Sequence, residues 1–449
     1  DDARIRSTVA DAAAPLQLSI EPAGTEIVLR LHDLGEPRNG PPGVVLSLVD
    51  IGLATSATGG TDGAGNISVV RIPLAGHDQL LDDAGLEVLA EDTPPTDAPV
   101  TIRSLETSDA AALTRCIYRC YGWTYPFAEL YYPERIASSL ASGRRMGEIA
   151  VDEHGEVVAH WGAILVTDGV VETGGTVTDP RFRRRGLADQ LGERLLARLE
   201  VAGISGRLRE PVLTHPATQK IALREGATVV GILLNASEPI QQIGITDGVQ
   251  SHRPSLSQMY SPLRPLEPAT IWVPVAYEPI VRHIVESSPW PRELGHVRGN
   301  ASPSRISTLS SSFDSARHCG EITVSIIGDD LIRAIDDALE QLRHAGAEII
   351  TVLLPANDPA LASVGAGLDG LALGFCSFVP AYGALGDALT LQWLRDPDID
   401  TSDWVFADDR VGTLAGLVVE QAREVAERGR RDRRRLASRQ RLFAALNDD

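Results

Sequence analysis

Cysteine is scarce in this chain: Cys116, Cys120, Cys319 and Cys376 are too few and too scattered for a disulfide framework. Cys116 and Cys120 stand at i, i+4 on an expected helix, a spacing that could hold two metal ligands. No second Cys/His pair lies nearby, so buried thiols in a reducing compartment are expected and no metal is assigned. Long apolar runs are also missing. None reaches the roughly 18 residues that span a bilayer, and no signal-peptide pattern opens the sequence. The first residue is Asp rather than Met, so a native start upstream is an expectation. A cytoplasmic protein without membrane contact is the expectation. Positive charge is the third shortage: Lys+Arg of 41 against Asp+Glu of 61 leaves a net charge of −20. That balance disfavours non-specific contact with nucleic acid or anionic membrane.

What is present is an ordinary globular composition in 449 residues, enough for two to four domains with separate cores. Residues 1–90 read as a small α/β module. "LQLSI", "EIVLRLHD" and "GNISVVRIPL" are strands, and "GVVLSLVDIGLAT" (43–55) is a helix or a strand. "EDTPPTDAP" (91–99), acidic and Pro-rich, is a linker. Over 100–236 the order is strand, two helices, three strands joined at "DEHG" and "TDG", then helix, strand, helix, strand. The strand after the long helix is expected at "REPVLT" (209–214). Residues 237–268, polar and Pro-rich, are a connector. Residues 269–398 repeat the closing helix–strand–helix–strand pattern, more in pattern than in identity. A long helix ends the chain within 399–449.

Against the acidic background one stretch stands out. "VTDPRFRRRGLADQ" (177–190) puts Arg181, Arg183, Arg184 and Arg185 into five positions, ahead of Gly186 and an amphipathic helix. A helix N-terminus presents unpaired N–H groups and the positive end of a dipole. Gly186 and Ala188 are small enough for a ligand to approach the backbone. Strand, small-residue loop and helix together make an anion cradle for a pyrophosphate-sized ligand. The alternative is a solvated turn before an ordinary helix.

"RRRGLA" (183–188) resembles the R/Q-x-x-G-x-G/A signature of the GNAT superfamily of acyl-CoA-dependent N-acyltransferases, and lies between the fourth strand and third helix, as in that family. The resemblance covers about 100–236. It implies an α/β GNAT fold, a mixed and mostly antiparallel sheet flanked by helices, with a reduced second copy following. It also implies acetyl-CoA or another acyl-CoA as co-substrate. The amides of Arg183, Arg184, Arg185, Gly186, Leu187 and Ala188 would bind the pyrophosphate, with Arg183 and Arg185 adding side-chain charge. Val177 and Thr178 would meet the pantetheine arm, a backbone N–H near Val177 polarising the thioester carbonyl. "YRCYGWTYPFAELYYPERIASSLASG", "THPATQKIALREGA" and "GDALTLQWL" resemble multidomain actinobacterial-type proteins, in which a signalling-ATPase-like module precedes the acetyltransferase. In that light the N-terminal module resembles a degenerate Bergerat-type, anti-sigma-kinase-like domain. "HDLGEP" (32–37) stands at its D-x-G box, "GTDGAGN" is a thin lid, and no Asn-box helix is found.

Amide formation from a thioester needs an uncharged amine, a polarised carbonyl and a proton for the departing thiolate. Glu172, eleven residues before Arg183, is a general-base candidate by family spacing, or a solvent-facing strand residue. The family's tyrosine, four residues before the glycine that ends the fourth helix, is replaced by Ala222. His215, Tyr131 and Tyr132 are its possible substitutes, the tyrosines also as acceptor-site lining or core. In the repeat, Asp329 and Asp330 occupy the anion-loop position, so that copy is not expected to bind coenzyme A. The tail "RGRRDRRRLASRQR" (428–441) is a solvated helix, or docks an acidic partner such as an acyl carrier protein or another subunit; nucleic acid lacks the aromatic interleaving it would need. Two functions remain. One is acyl transfer from coenzyme A or a carrier-protein thioester to a small-molecule or peptide amine; the other is a catalytically silent acyl-CoA-binding or regulatory protein on the same fold.

Overall fold

Alternating apolar residues in the first hundred positions pair as antiparallel strands. In the computed structural model the described residues are 17–23, 26–33, 48, 54, 56–61, 65–73, 94–244, 248–296, 303, 305–314 and 317–447. The chain divides into two compact units, Asp1–Leu86 and Glu87–Asp449. The first holds β1 (Gln17–Ala23), β2 (Glu26–Asp33), β3 (Ser56–Thr61) and β4 (Asn66–Pro73), antiparallel in the order β1-β2-β4-β3. Val28 and Val70 are buried, as are the polar Asp33 and Asn66, where Asn66 Nδ2 donates to Asp33 Oδ1 at 2.9 Å. The rest of "HDLGEP" beyond Asp33, and most of 43–55, lie outside the described residues.

The second unit begins with β5 (Thr101–Ser104) and α1 (Ala110–Tyr121). The Asp109 carboxylate organises this entry, accepting from Glu106 N at 2.9 Å and from both terminal nitrogens of Arg103. α2 (Pro133–Ala141) opens on a proline, whose missing N–H costs nothing in a first turn. Then come β6 (Arg145–Val151), β7 (Val157–Thr167) and β8 (Val170–Thr178), the three strands expected from the sequence. In the β6–β7 turn, Asp152 Oδ1 accepts from the N–H groups of His154 and Glu156, each at 2.9 Å. α3 (Leu187–Val201) buries Leu187, Leu191, Leu195 and Leu199, the expected stripe, against β6, β7 and β8.

After α3 two expectations are corrected. The strand is β9 (Gly206–Arg209), not 209–214. Pro211 has no N–H to give a ladder, and the chain past it bonds irregularly, Leu213 N to Ser255 O at 3.1 Å and Ser257 N to Pro211 O at 2.8 Å. α4 (Ala217–Arg224) and β10 (Thr228–Leu233) follow. The supposed connector, 237–268, carries β11 (Leu256–Pro262), which enters the sheet between β9 and β10. "LSQMYSP" is too polar to read as a core strand, yet Tyr260 and Met259 are fully buried.

The remaining elements are β12 (Ala269–Ile271), α5 (Glu278–Ser287), β13 (Arg292–Leu294), β14 (Thr308–Asp314), β15 (Cys319–Ile326), α6 (Leu331–Ala345), β16 (Ile349–Pro355), α7 (Ala360–Val364), β17 (Gly374–Val379), β18 (Ala388–Leu394) and α8 (Asp409–Asn447). One 12-stranded sheet runs β14-β15-β16-β18-β17-β10-β11-β9-β8-β7-β6-β5. From the far edge, β14-β15-β16-β18-β17 reproduces the order β7-β8-β9-β11-β10. In each set the one parallel pair, β8/β9 or β15/β16, is crossed over by a 15-residue helix. The repeat is therefore topological, and the two copies meet where β10 pairs with β17.

That seam is tight. Gly231 pairs with Ser377, and a Cβ on Gly231 would lie 2.3 Å from Cys376 O. Beside it the buried Gln392 satisfies three backbone groups: Leu234 N donates to its Oε1 at 2.9 Å, and its Nε2 donates to Ile232 O at 3.1 Å and Phe375 O at 2.7 Å. α8 packs on both seam strands, where Gln421 Oε1 accepts from Phe375 N at 2.8 Å. Replacing Gln392 by Leu leaves buried backbone groups unpaired, so urea unfolding should show a loss of about 2–5 kcal/mol. A change within about 0.5 kcal/mol would refute this account of the seam.

Candidate active site

The site starts where two strands part. β8 and β9 pair only from Val170↔Gly206 to Glu172↔Leu208, while β8 runs on to Thr178. Thr173 Oγ1 donates to Leu208 O at 3.2 Å and ties the fork. Beyond it Gly174–Thr178 have no partner on the β9 side and pair with β7 alone, so the two strands diverge along Val177 and Thr178. Behind β8 the buried His160 ring sits 2.8 Å from Gly175 O, and burial drives it down to about 4, a neutral structural group.

At the end of β8 the chain turns through the arginine loop. Asp179 is fully buried; Arg119 Nε donates to it at 2.6 Å, Arg181 Nη2 at 2.8 Å and Arg181 N at 3.0 Å. Burial alone would raise its carboxyl, but Arg181 and Arg119 hold it below the ordinary range. Arg184 and Gly186 both adopt left-handed backbone, at φ 63° and 68°. Gly186 is the residue at which α3 starts, and any branched side chain there would strain the turn. Gln190 is the first residue of α3 whose N–H reaches a helical carbonyl, Gly186 O at 3.2 Å. Earlier N–H groups, including those of Leu187 and Ala188, find no acceptor among the described residues.

The three arginines of "RRRG" separate in role. Arg185 is committed to structure: its Nη1 donates to Ala98 O at 2.9 Å and Thr96 O at 3.3 Å, with Phe182 under the guanidinium. It pins residues 96–98, the end of the expected linker, so one end of the guanidinium expected to add charge at the pyrophosphate is bonded within the chain. Arg183 Nε donates to Thr178 O at 3.2 Å. Arg184 is exposed, with no ion pair among the described residues.

Glu172 stands at the fork and faces a cavity of about 870 Å³. Burial first, then the neighbouring Glu210, raise it to about 8, against the opposing effect of Arg317 and Arg145. Gln258 Nε2 donates to Glu210 at 2.9 Å. The far wall is the second copy, which contributes Arg317, Glu321, Cys376 and Tyr382. None of these four, nor Glu210, carried a sequence signal, because each meets Glu172 only through the pairing of strands distant in sequence. "REPV" did contain the carboxylate, two residues past the partner of Glu172.

Other expected residues lie elsewhere. His215 does not line this cavity; it precedes α4, near Leu213 and Val405, whose O and N bond at 2.6 Å. Tyr131 is core: its OH donates to Gly122 O at 2.6 Å and accepts from Tyr125 N at 2.9 Å. Tyr132 lies under Arg135, 4.3 Å from its ring centroid. Ala222 is fully buried. Cys116 and Cys120 are buried free thiols on α1.

The second copy's equivalent junction is closed by its own chain. Asp329 N donates to Arg305 O at 3.1 Å, Gly328 N to Ser307 Oγ at 2.9 Å, and Ser307 N to Asp330 Oδ1 at 2.8 Å. The segment 305–307 fills the place where an anion would sit. Among the described residues no group of three or more His, Cys, Asp or Glu is placed to hold a metal, and no helix is long and apolar enough to cross a membrane.

No curated protein matches the chain. Among solved structures, the ribosomal-protein-S18-alanine N-acetyltransferase of Escherichia coli is 22% identical, covering 38% of this chain and 97% of that one, with a TM-score of 0.30. The spermidine N-acetyltransferase of Vibrio cholerae, solved with CoA and spermine, is 13% identical over 36% of this chain and 95% of that one, also at 0.30. The stretch that contains the fork and the arginine loop, residues 111–219, matches the acetyltransferase (GNAT) family.

Proposed function

We propose that this protein is an N-acyltransferase that moves an acetyl or other acyl group from coenzyme A to an amine. One observation carries the reading: an exposed arginine loop with two left-handed residues opens helix α3 beside a strand fork that ends on a carboxylate. The loop N–H groups and the α3 dipole would hold the pyrophosphate, with Arg184 as the side-chain cation. The pantetheine arm would lie in the wedge along Val177 and Thr178. Glu172 would take a proton from the acceptor, whose free amine attacks the thioester carbonyl, polarised by a backbone N–H near Val177. With His215 outside the cavity, and with burial making the Tyr382 phenol a weaker acid than a thiol, the departing thiolate would take its proton from water. The acceptor amine, and a carrier-protein thioester as alternative donor, are open to assay; an acyl carrier protein or a second copy is the proposed partner of the basic 428–441 tail. The buried Ala222, in place of the family's tyrosine, favours a second reading as a silent acyl-CoA-binding protein.

Calorimetry with coenzyme A and acyl-transfer assays over an amine panel separate the two readings. Arg184→Ala should weaken coenzyme A roughly tenfold to a hundredfold, the worth of a charged phosphate contact. Unchanged affinity would remove the loop from the binding site. Glu172→Gln should leave coenzyme A binding near wild type and lower turnover by roughly 100-fold or more. Wild-type turnover should climb as pH rises through about 8, because below that value Glu172 keeps its proton and cannot act as base. Stability has the opposite sign: a carboxyl raised on folding loses stabilisation as pH rises from the ordinary carboxylate range through about 8, and Glu172→Gln should abolish that loss. A wild-type protein that binds coenzyme A but acylates no amine decides for the silent reading.

A further inference from the structure

Arg317 belongs to the turn between β14 and β15, in the second copy, yet it faces the cavity that Glu172 faces. It is held there from several sides. Its guanidinium carbon lies 5.1 Å from the ring centroid of Phe127, a residue of the α1–α2 loop in the first copy. Its main-chain N donates to Asp314 Oδ1 at 3.2 Å, and its carbonyl accepts from Arg253 Nη2 at 3.3 Å and Cys319 Sγ at 3.2 Å. Neither Glu172 nor Glu210 forms an ion pair with it, and its Nε is buried with no partner among the described residues. A buried guanidinium N–H without an acceptor is costly. A cation kept at that cost acts through its field.

The charges that face Glu172 can be enumerated element by element. Glu210 follows β9, and Arg145 opens β6; Glu129 and Tyr125 come from the α1–α2 loop, and Tyr382 from the β17–β18 turn. Arg145 is already bonded to Glu129. The phenols of Tyr125 and Tyr382 are kept neutral by burial. Of the other charged groups lining the cavity, Glu321 of β15 accepts from Thr323 Oγ1 at 3.3 Å, Asp314 accepts from Arg317 N, Arg135 lies over Tyr132 and Arg144 pairs with Glu129. Among the groups that act on Glu172 itself, that leaves two carboxylates, Glu172 and Glu210, and one cation, Arg317, without an ion pair in the described residues. Two close carboxylates cannot both ionise cheaply, and one neighbouring cation supports one negative charge.

We propose that Arg317 is a positioning residue of the acceptor site, supplied by the second copy, which keeps one of the carboxylates Glu172 and Glu210 ionised to accept a proton. The role in turnover rests on the acyl-transfer reading; the electrostatic role does not. In the proton step, an acceptor ammonium gives one proton to the Glu172 carboxylate, leaving a neutral amine and a protonated carboxyl.

The test uses the full chain with 13C-labelled glutamate side-chain carboxyls, titrated by NMR and assigned with Glu172→Gln and Glu210→Gln. In Arg317→Met the Glu172 midpoint should rise by about one pH unit or more, and Arg317→Lys should recover most of that shift. Near-UV circular dichroism checks folding, with Arg317→Gln as a second neutral variant. Coenzyme A affinity by calorimetry should be unchanged in all three. A midpoint that stays in place in folded Met or Gln variants overturns the proposal, as does a Lys variant that shifts as far as Met. Should the midpoints move as expected while the wild type fails to bind coenzyme A, the acyl-transfer reading falls and the electrostatic assignment stands.

Discussion

Two strands that would otherwise be the edges of separate sheets, β10 and β17, meet at Gly231 and Ser377, and everything at the cavity depends on that contact. An added Cβ at Gly231 would sit 2.3 Å from Cys376 O, so the approach is open only to glycine. An unpaired edge carrying Val230 and Ile232 would invite association with another chain. Here the edge is consumed within the molecule, and Gln392 pairs the backbone groups that the short ladder leaves over. Joining the copies this way brings residues of β7–β11 and of β14–β18 around one cavity.

The copies share a topology and differ in charge chemistry at the same junction. In the first, the helix starts after a loop in which Arg184 and Gly186 are left-handed. In the second, the N–H groups of Gly328 and Asp329 are already bonded to Ser307 and Arg305, and Asp330 accepts from Ser307 N. One junction carries an exposed arginine and the other is filled by its own chain. The concentration of arginine in an acidic chain follows from this. Arg119 and Arg181 neutralise the buried Asp179 that sets the turn, Arg185 ties down residues 96–98, and Arg184 carries a charge outward. Most of the run is the internal support of one exposed cation.

Local patterns made much of this legible. The leucine stripe of α3, the turns at Asp152 and Gly169, and the helix-capped arginine loop are written within a dozen residues each, where periodicity and capping act. The misreadings have a common cause. "REPVLT" has strand composition, but Pro211 diverts it, and the strand forms just upstream. "LSQMYSP" has the composition of a loop, and becomes a strand because two neighbours, β9 and β10, need a partner between them. His215 was attractive by its position after a strand, but the short β9 leaves it outside the cavity. Glu210, Arg317 and Tyr382 converge only because distant strands are sewn into one sheet, and no window of sequence contains that information.

The second copy, filled at its own junction, still shapes the surroundings of Glu172 in the first. Glu172 lies at the fork of β8 and β9, and a carboxylate in that place on an isolated first copy would meet water on the cavity side. Its ordinary titration would follow. What raises it is burial, the largest influence, with Glu210 next, and the burial is completed by walls that come from β15, β17 and the β17–β18 turn. A carboxylate that ionises near neutral pH is a better match to an amine than one that ionises near 4, because it holds an abstracted proton more firmly. The cost is a less stable folded state wherever the group is charged. The seam strands, Gln392 and α8 offset that cost by holding the two copies together, so the stability of the join and the basicity of Glu172 are physically one problem.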